Sequence, residues 1–353
     1  MTSDRLLALV RCPECRHPLV EMPPPAVGSR ALRCSGCARE YRGTADFLDL
    51  RPAEQYAEQT KYLDEALHAD ARHERVSPPL LGSKIRNDML RDFLRPAKTD
   101  RVIDLGCGSG RTLLWNRDWG AQAIGIDISP FFSEDARSDV DLLLGDLRRL
   151  PFADGTFTKA YSLDVLEHLS PEALRGMLKE ASRVLAPGGE LFVYTHVRKN
   201  ARIAVGLRWI NAFAKQLERA GLIDMRQERL RKSDHLNPLR DIPDLEAVVR
   251  ECGFHISRIR FYTPLVGGFV ENILMRVAEH AMARRAARRL GRGSDADTDA
   301  RAIREARTAA KERIARSRTT YAALGALSAA MKLDLALFGR IPSGPFFALL
   351  VRD

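Results

Sequence analysis

The 353-residue chain has no uninterrupted apolar run of the roughly 18 residues that a membrane-crossing helix requires. Its first residues carry no signal-peptide pattern, so the cytoplasm is the expected location. Aromatic residues are scarce at 7%, and the most basic stretch, 276–318, has almost none, which argues against an arm that stacks exposed bases. No Lys-Ser/Thr pair follows the glycine-rich turn near residue 106, which excludes a phosphate-binding P-loop. Nothing beyond six cysteines points to an oxidising compartment, so a disulfide framework is not the expected use of them. What remains is a globular composition, 45% hydrophobic and 29% charged, with a net charge of +10. Such a chain is long enough for one sizeable core and an accessory unit.

The most informative stretch is Val102-Ile103-Asp104-Leu105-Gly106-Cys107-Gly108-Ser109-Gly110. A short apolar run reads as a buried strand, and glycines at alternate positions let the backbone turn tightly against a ligand. Asp127 follows Gly106 by 21 residues, at the end of a second apolar run. A glycine turn with a carboxylate at that distance suits a nucleotide-type ligand whose ribose hydroxyls the carboxylate holds. The spacing G-x-G-x-G differs from the dinucleotide fingerprint.

Further segments follow in order: Gly145-Asp146-Leu147, Leu150–Phe157, Tyr161-Ser162-Leu163-Asp164-Val165-Leu166-Glu167-His168-Leu169 and Val184–Val193. Together these resemble the class I methyltransferases that use S-adenosylmethionine, in the branch with an "EHL" segment after the fourth strand. The resemblance covers roughly 84–263 and the last few residues. It implies a doubly wound, mainly parallel seven-stranded α/β sheet whose seventh strand, 346–352, inserts antiparallel between the fifth and sixth. It also implies cofactor contacts from Asp104, Gly106, Gly108 and Gly110 on the methionine side and Asp127 on the ribose. Ile128 and Leu147 fall against the adenine, Asp146 on its amino group, and Ser162 beneath the cofactor. Strands are expected near 101–105, 122–126, 140–144, 158–162, 189–195 and 254–262, with helices at 84–94 and 244–252.

Cys12-Pro13-Glu14-Cys15 and Cys34-Ser35-Gly36-Cys37 form two C-x-x-C pairs separated by 18 residues. Four thiolates so arranged close a tetrahedral site on zinc, structural because no position is left open. Residues 1–51 are therefore expected to form a zinc ribbon with two short strands. It resembles small methyltransferase-activator proteins and the N-terminus of the ribosomal RNA guanine methyltransferases. A helical linker, 52–83, leads to the methyltransferase domain, 84–353. Cys107 and Cys252 read as packed small residues.

Two long inserts, 198–240 and 263–343, leave the expected core on the side where ligands bind, and are read as an acceptor-site lid. Between 276 and 318 there are thirteen Arg/Lys against six Asp/Glu, seven of the ten net positive charges. Arg284, Arg285, Arg288 and Arg289 lie one helical turn apart, a basic stripe suited to an anionic membrane surface or a lipid diphosphate. RNA phosphates are an alternative partner, and a solvated Ala/Arg-rich helix accounts for the stripe equally. Where the acceptor is a hydroxyl, a base helps; the candidates are Asp164, His168 and His196. Asp164-x-x-Glu167-His168 with His235 also resembles a divalent-metal cluster of small-RNA 2′-O-methyltransferases, though packing and hydrogen bonding explain Glu167 and His168 without a metal.

The sequence thus leads to an S-adenosylmethionine-dependent methyltransferase with a structural zinc ribbon. Its expected acceptor is a small or lipid-linked biosynthetic intermediate methylated on oxygen, with peripheral contact at the inner membrane surface through the basic helix. An RNA methyltransferase gripping its substrate through ribbon and basic helices is the second reading. A cofactor-binding scaffold without chemistry is the third. The oligomeric state is not fixed by the sequence.

Overall fold

The cysteine-rich segment opens with a helix, α1 (Asp4–Leu9), which Ser3 caps by accepting the Leu6 N–H. Four strands follow: β1 (Leu19–Met22), β2 (Ser29–Cys34), β3 (Glu40–Thr44) and β4 (Phe47–Asp49), paired antiparallel in sequence order. The sequence leads one to expect two. The additional hairpin exists because the Thr44 hydroxyl accepts the N–H groups of Asp46 and Phe47, a side-chain-closed turn that returns the chain as β4. The computed structural model describes residues 3–52, 76–197, 204–223, 235–236, 238–262, 264–275, 277–278, 281, 317–342 and 344–353.

Apolar runs buried on both faces then form the strands of a mainly parallel sheet. These are β5 (Arg101–Leu105), β6 (Gln122–Asp127), β7 (Asp141–Leu144), β8 (Phe157–Leu163), β9 (Leu185–His196), β10 (Phe254–Phe261) and β11 (Pro345–Arg352). Their spatial order is β7-β6-β5-β8-β9-β11-β10. β11 lies antiparallel to both neighbours, with Ala348 opposite Val193 on one side and Ile259 on the other. The expected seven strands and the inserted last strand are thus present.

The ribbon and the sheet are continuous. β4 pairs in parallel with β7, Phe47 opposite Leu142 and Asp49 opposite Leu144, so one sheet of eleven strands runs through both parts. The expected division at 51 is crossed by shared packing. Leu6, Val10, Leu48 and Leu50 are buried in one cluster with Leu150 and Phe152. The Arg11 N–H donates to the Pro151 carbonyl at 2.8 Å and the Leu50 N–H to the Leu144 carbonyl at 2.9 Å. The physical reason is that a parallel edge strand, β7, would otherwise expose unpaired backbone groups, and β4 covers it.

Helices α2 (Leu81–Leu94), α3 (Arg111–Trp115), α4 (Glu134–Asp139), α5 (Pro171–Val184), α6 (Ala204–Arg219), α7 (Ile242–Glu251), α8 (Pro264–Phe269) and α9 (Arg318–Phe338) complete the described chain. In α5 the Ser170 hydroxyl caps the first turn, Pro171 occupies the position that has no N–H to satisfy, and Leu174, Met177, Leu178 and Ala181 face the core. α2 begins three residues earlier than its sequence pattern indicates. Of the linker expected at 52–83, residues 53–75 lie outside the described residues, as do Arg284, Arg285, Arg288 and Arg289 of the basic stripe. One expectation is corrected: α9, 21 residues long, is long and apolar enough to cross a membrane by length and composition. A count of consecutive apolar residues misses it because Lys332 and Asp334 interrupt the run, yet Asp334 is buried against the domain.

Candidate functional site

The turn after β5 is shaped by close approaches. Gly106 has φ +84°, and a Cβ there would come within 2.5 Å of the Val165 side chain; at Gly110, φ +79°, it would come within 2.7 Å of the Ala136 Cβ. Neither position tolerates a side chain. Gly108, φ +54°, differs: a Cβ there would meet no protein atom within 4 Å, so the loop's crest faces open space. Its N–H donates to Asp127 Oδ2 at 2.7 Å, and the Ser129 N–H donates to Oδ1 at 2.9 Å. The carboxylate at the end of β6 is thereby fixed beside the glycine turn, with the open crest next to it. The carboxylate and the open crest of the turn therefore lie side by side after the first two strands of the parallel sheet, where such sheets bind ligands.

The other expected cofactor residues take different places. Asp104 lies under the loop at 3% exposure, and burial, helped by the charge of Asp127, holds its carboxyl well above the usual range. Asp127 is raised too, by the atoms packed round it, against the backbone N–H groups that favour its charge. Ile128 and Leu147, just beyond β6 and β7, are half-buried, as residues flanking a flat ring would be. Asp146 is nearly buried and already engaged: Arg148 donates its backbone N–H to Oδ1 at 2.8 Å and its Nε to both oxygens at 3.1 Å. An adenine amino group would share that carboxylate with Arg148, which sequence reasoning does not reveal. Ser162 is fully buried and donates to the Leu105 carbonyl at 2.8 Å, so its hydroxyl ties β8 to β5 beneath the site.

The candidate acceptor end lies after β8 and β9. Asp164 adopts φ +57°, an uncommon conformation for a residue with a side chain. Its carboxylate faces the Arg86 guanidinium of α2 at 3.6 Å, and Arg86 in turn lies 5.4 Å above the Tyr194 ring. Glu167, in a 3-10 turn spanning Leu166–His168, is 3% exposed. It accepts the Thr195 hydroxyl proton at 2.9 Å, and His196 Nδ1 stands 4.0 Å from its other oxygen. His235, from the insert after β9, bridges the two predicted histidines: its ring centre is 4.6 Å from that of His168 and 5.3 Å from that of His196. The structure therefore gathers His168, His196, His235 and Glu167, and gives Asp164 to Arg86. Glu167 is legible in the "EHL" segment; Arg86, Thr195 and Arg148 carry no sequence signal of their own.

Glu167, His168 and His235 present donor atoms all within 4.8 Å of one another, a carboxylate-and-imidazole set able to take a divalent cation. Burial, with the charge of Asp164 adding to it, pushes the Glu167 carboxyl up to about 7. A carboxyl raised in the folded state favours folding while protonated, so its contribution is full below the ordinary carboxylate pKa and is lost as pH rises through about 7. Thermal melts of the wild type should therefore lose on the order of 3 kcal/mol between pH 4.5 and 8 relative to Glu167→Gln. Parallel pH profiles for the two proteins would show that Glu167 does not titrate there.

At the N-terminus, Cys12 and Cys37 Sγ lie 3.7 Å apart, Cys15 and Cys34 Sγ 3.3 Å apart, and all four sulfurs fall within 4.8 Å of one another. Sulfurs at about 2.3 Å from a tetrahedral zinc are about 3.8 Å apart, so the donor set fits that ion. All six cysteines are free thiols. Burial opposes ionisation of Cys34, but the N–H groups of Cys37 and Gly36, at 3.4 and 3.3 Å, bring it down to about 6.

A glycine turn after the first strand of such a sheet, a fixed carboxylate after the second and an antiparallel last strand define a nucleotide-binding α/β domain with the class I methyltransferase topology. Residues 103–193 match the family model described as a methyltransferase domain, so this stretch of the chain carries a methyltransferase domain. It is 28% identical over 140 residues to the sterol 4-C-methyltransferase strm-1 of Caenorhabditis elegans, covering 35% of this chain and 41% of that one. To the probable tRNA methyltransferase 9B of Mus musculus it is 33% identical over 136 residues, 36% of this chain and 30% of the other. The chloroplastic tocopherol O-methyltransferase of Arabidopsis thaliana is 28% identical over 142 residues, covering 37% and 40%. The chain thus spans less than half the length of each of these relatives.

Proposed function

We propose that the protein transfers a methyl group from S-adenosylmethionine to a hydroxyl of a small or lipid-linked acceptor, and that its N-terminal ribbon holds one structural zinc on Cys12, Cys15, Cys34 and Cys37. The observation that carries the oxygen chemistry is the cluster of three imidazoles around the buried Glu167 at the carboxyl ends of β8 and β9. When bound, S-adenosylmethionine supplies a methyl on a sulfonium, already activated for displacement. Asp127 holds its ribose, and the Gly106–Gly110 turn its methionine side. His168 or His196 takes the proton from the acceptor hydroxyl, and Glu167 orients and balances the imidazolium so formed. The insert after β9, which brings His235 to this cluster, excludes water and positions the acceptor in line.

The sterol and tocopherol methyltransferases among the relatives support an apolar acceptor, and the tRNA methyltransferase supports the RNA alternative. The test is methyl-labelled S-adenosylmethionine given to the enzyme with a host lysate separated into lipid, small-molecule, RNA and protein fractions, with Asp127→Ala as control. Label is expected in lipid or small molecules, on oxygen by NMR of the isolated product. Label in RNA would replace this reading with the RNA one, and label on carbon or nitrogen would remove the hydroxyl from the mechanism.

A further inference from the structure

The outward face of α9 has nothing packed on it among the described residues, and its chemistry is unusual for a solvated helix. Only 22% of its most apolar 18-residue stretch is buried. Leu333 is 60% exposed and Leu337 64%, and Ala322, Ala326, Ala329 and Ala330 are exposed beside them. The one charge among the exposed positions from Tyr321 to Leu337 is Lys332, and it is paired with Asp88 of α2. A solvated helix face ordinarily carries charged residues along its length. This one carries a single charge, already paired, over more than four turns.

The inner face is anchored. Ser328 Oγ accepts the Leu81 N–H at 3.0 Å, Asp334 Oδ2 accepts the Val266 N–H at 3.1 Å, and Met331 and Leu335 are buried. The helix is therefore held along the domain surface and does not leave it to span a bilayer. Exposed Arg318 and Arg340 stand at its two ends, roughly 30 Å apart. A second apolar surface belongs to the same layer of insert helices, since α8 packs against both α6 and α9. On α6, Trp209 is 74% exposed and Phe213 48%, one turn apart, while Ile210, Ala214 and Leu217 face inward on Ile223 and Ile273.

We infer that this insert layer docks on an anionic lipid surface, with the outer face of α9 lying in the interface. Charge selects the occupant. The chain carries a net charge of +10, and exposed Arg318 and Arg340 flank the face. Two copies of so basic a chain meeting on this face would repel one another. Nucleic acid gains nothing from an Ala/Leu face that offers its phosphates no donors. An anionic bilayer satisfies both features, with apolar side chains entering the acyl boundary and Arg318 and Arg340 meeting the headgroups. Docking of this kind does not depend on which acceptor is methylated, and its readout is lipid binding.

The full chain should float with vesicles of phosphatidylcholine and phosphatidylglycerol and stay behind with phosphatidylcholine alone, with retention falling as salt rises. Leu333→Glu with Leu337→Glu should lower vesicle affinity at least about tenfold, and Leu333→Trp with Leu337→Trp should raise it. Melting temperature and S-adenosylmethionine affinity, measured alongside, should not move. Flotation unaffected by either pair, or equal on neutral vesicles, would overturn the inference. So would a concentration-dependent dimer in ultracentrifugation that the Glu pair dissociates, which would make the face a contact between copies.

Discussion

Asp127→Ala is expected to raise the Kd for S-adenosylmethionine by about 10²–10⁴-fold in calorimetry. The size follows from charge-assisted hydrogen bonds, each worth about 1.5–3 kcal/mol, to the two hydroxyls of a ribose. Part of the loss is indirect, because the same carboxylate fixes the Gly108 and Ser129 N–H groups and so sets the crest of the glycine turn. Asp127→Asn separates the two contributions: its amide oxygen still accepts one backbone N–H, while the charge is gone, so an intermediate Kd is expected. Burial raises this carboxyl, so wild-type affinity should also weaken on acidification at a higher pH than an ordinary aspartate would give. Unchanged affinity in Asp127→Ala, with an unchanged melting temperature, would remove the ribose assignment.

How far the site is legible in sequence depends on the range over which its parts meet. The glycine turn and Asp127 are readable because a strand, a turn and a second strand place them within 21 residues, and only glycine tolerates φ +84° beside Val165. The seven strands, with the last inserted antiparallel between the fifth and sixth, follow from the family resemblance and are found as expected. The acceptor cluster is half legible. Glu167 and His168 stand in a recognisable segment and the resemblance groups His235 with them, but that His196 joins the same cluster and Asp164 turns to Arg86 depends on the fold. Asp146 illustrates a different failure: its position is readable, yet its engagement by Arg148 two residues on depends on a local turn. The pairing of β4 with β7 joins residues 47–49 to 142–144, and nothing in the composition of either strand says which edge it seeks. The outer face of α9 is concealed by two charged residues that the fold turns toward α2 and α8.

That continuous sheet sets the expected outcome of metal removal, the other large effect. In an isolated ribbon, stripping zinc unfolds only the ribbon, because apparent zinc-binding free energies of about 10–16 kcal/mol supply most of the stability of small zinc domains. Here β4 is the outer neighbour of β7, and Leu6, Val10, Leu48 and Leu50 share a core with Leu150 and Phe152. Chelation, or Cys34→Ser, should therefore melt β1–β4 and also uncover the β7 edge and the apolar floor beneath 150–152. Hydrogen exchange should rise in 47–49 and 141–144 together, and the cooperative melt should fall by several degrees or split into two transitions. Asp146 and Leu147 lie directly after β7, so S-adenosylmethionine affinity should drop as well, although no ribbon residue is expected to touch the cofactor. Exchange confined to residues 3–52, with cofactor affinity intact, would show that the sheet holds its edge without the ribbon. Loss of both together would make the zinc a distant support of the adenine pocket, acting through one pair of parallel strands.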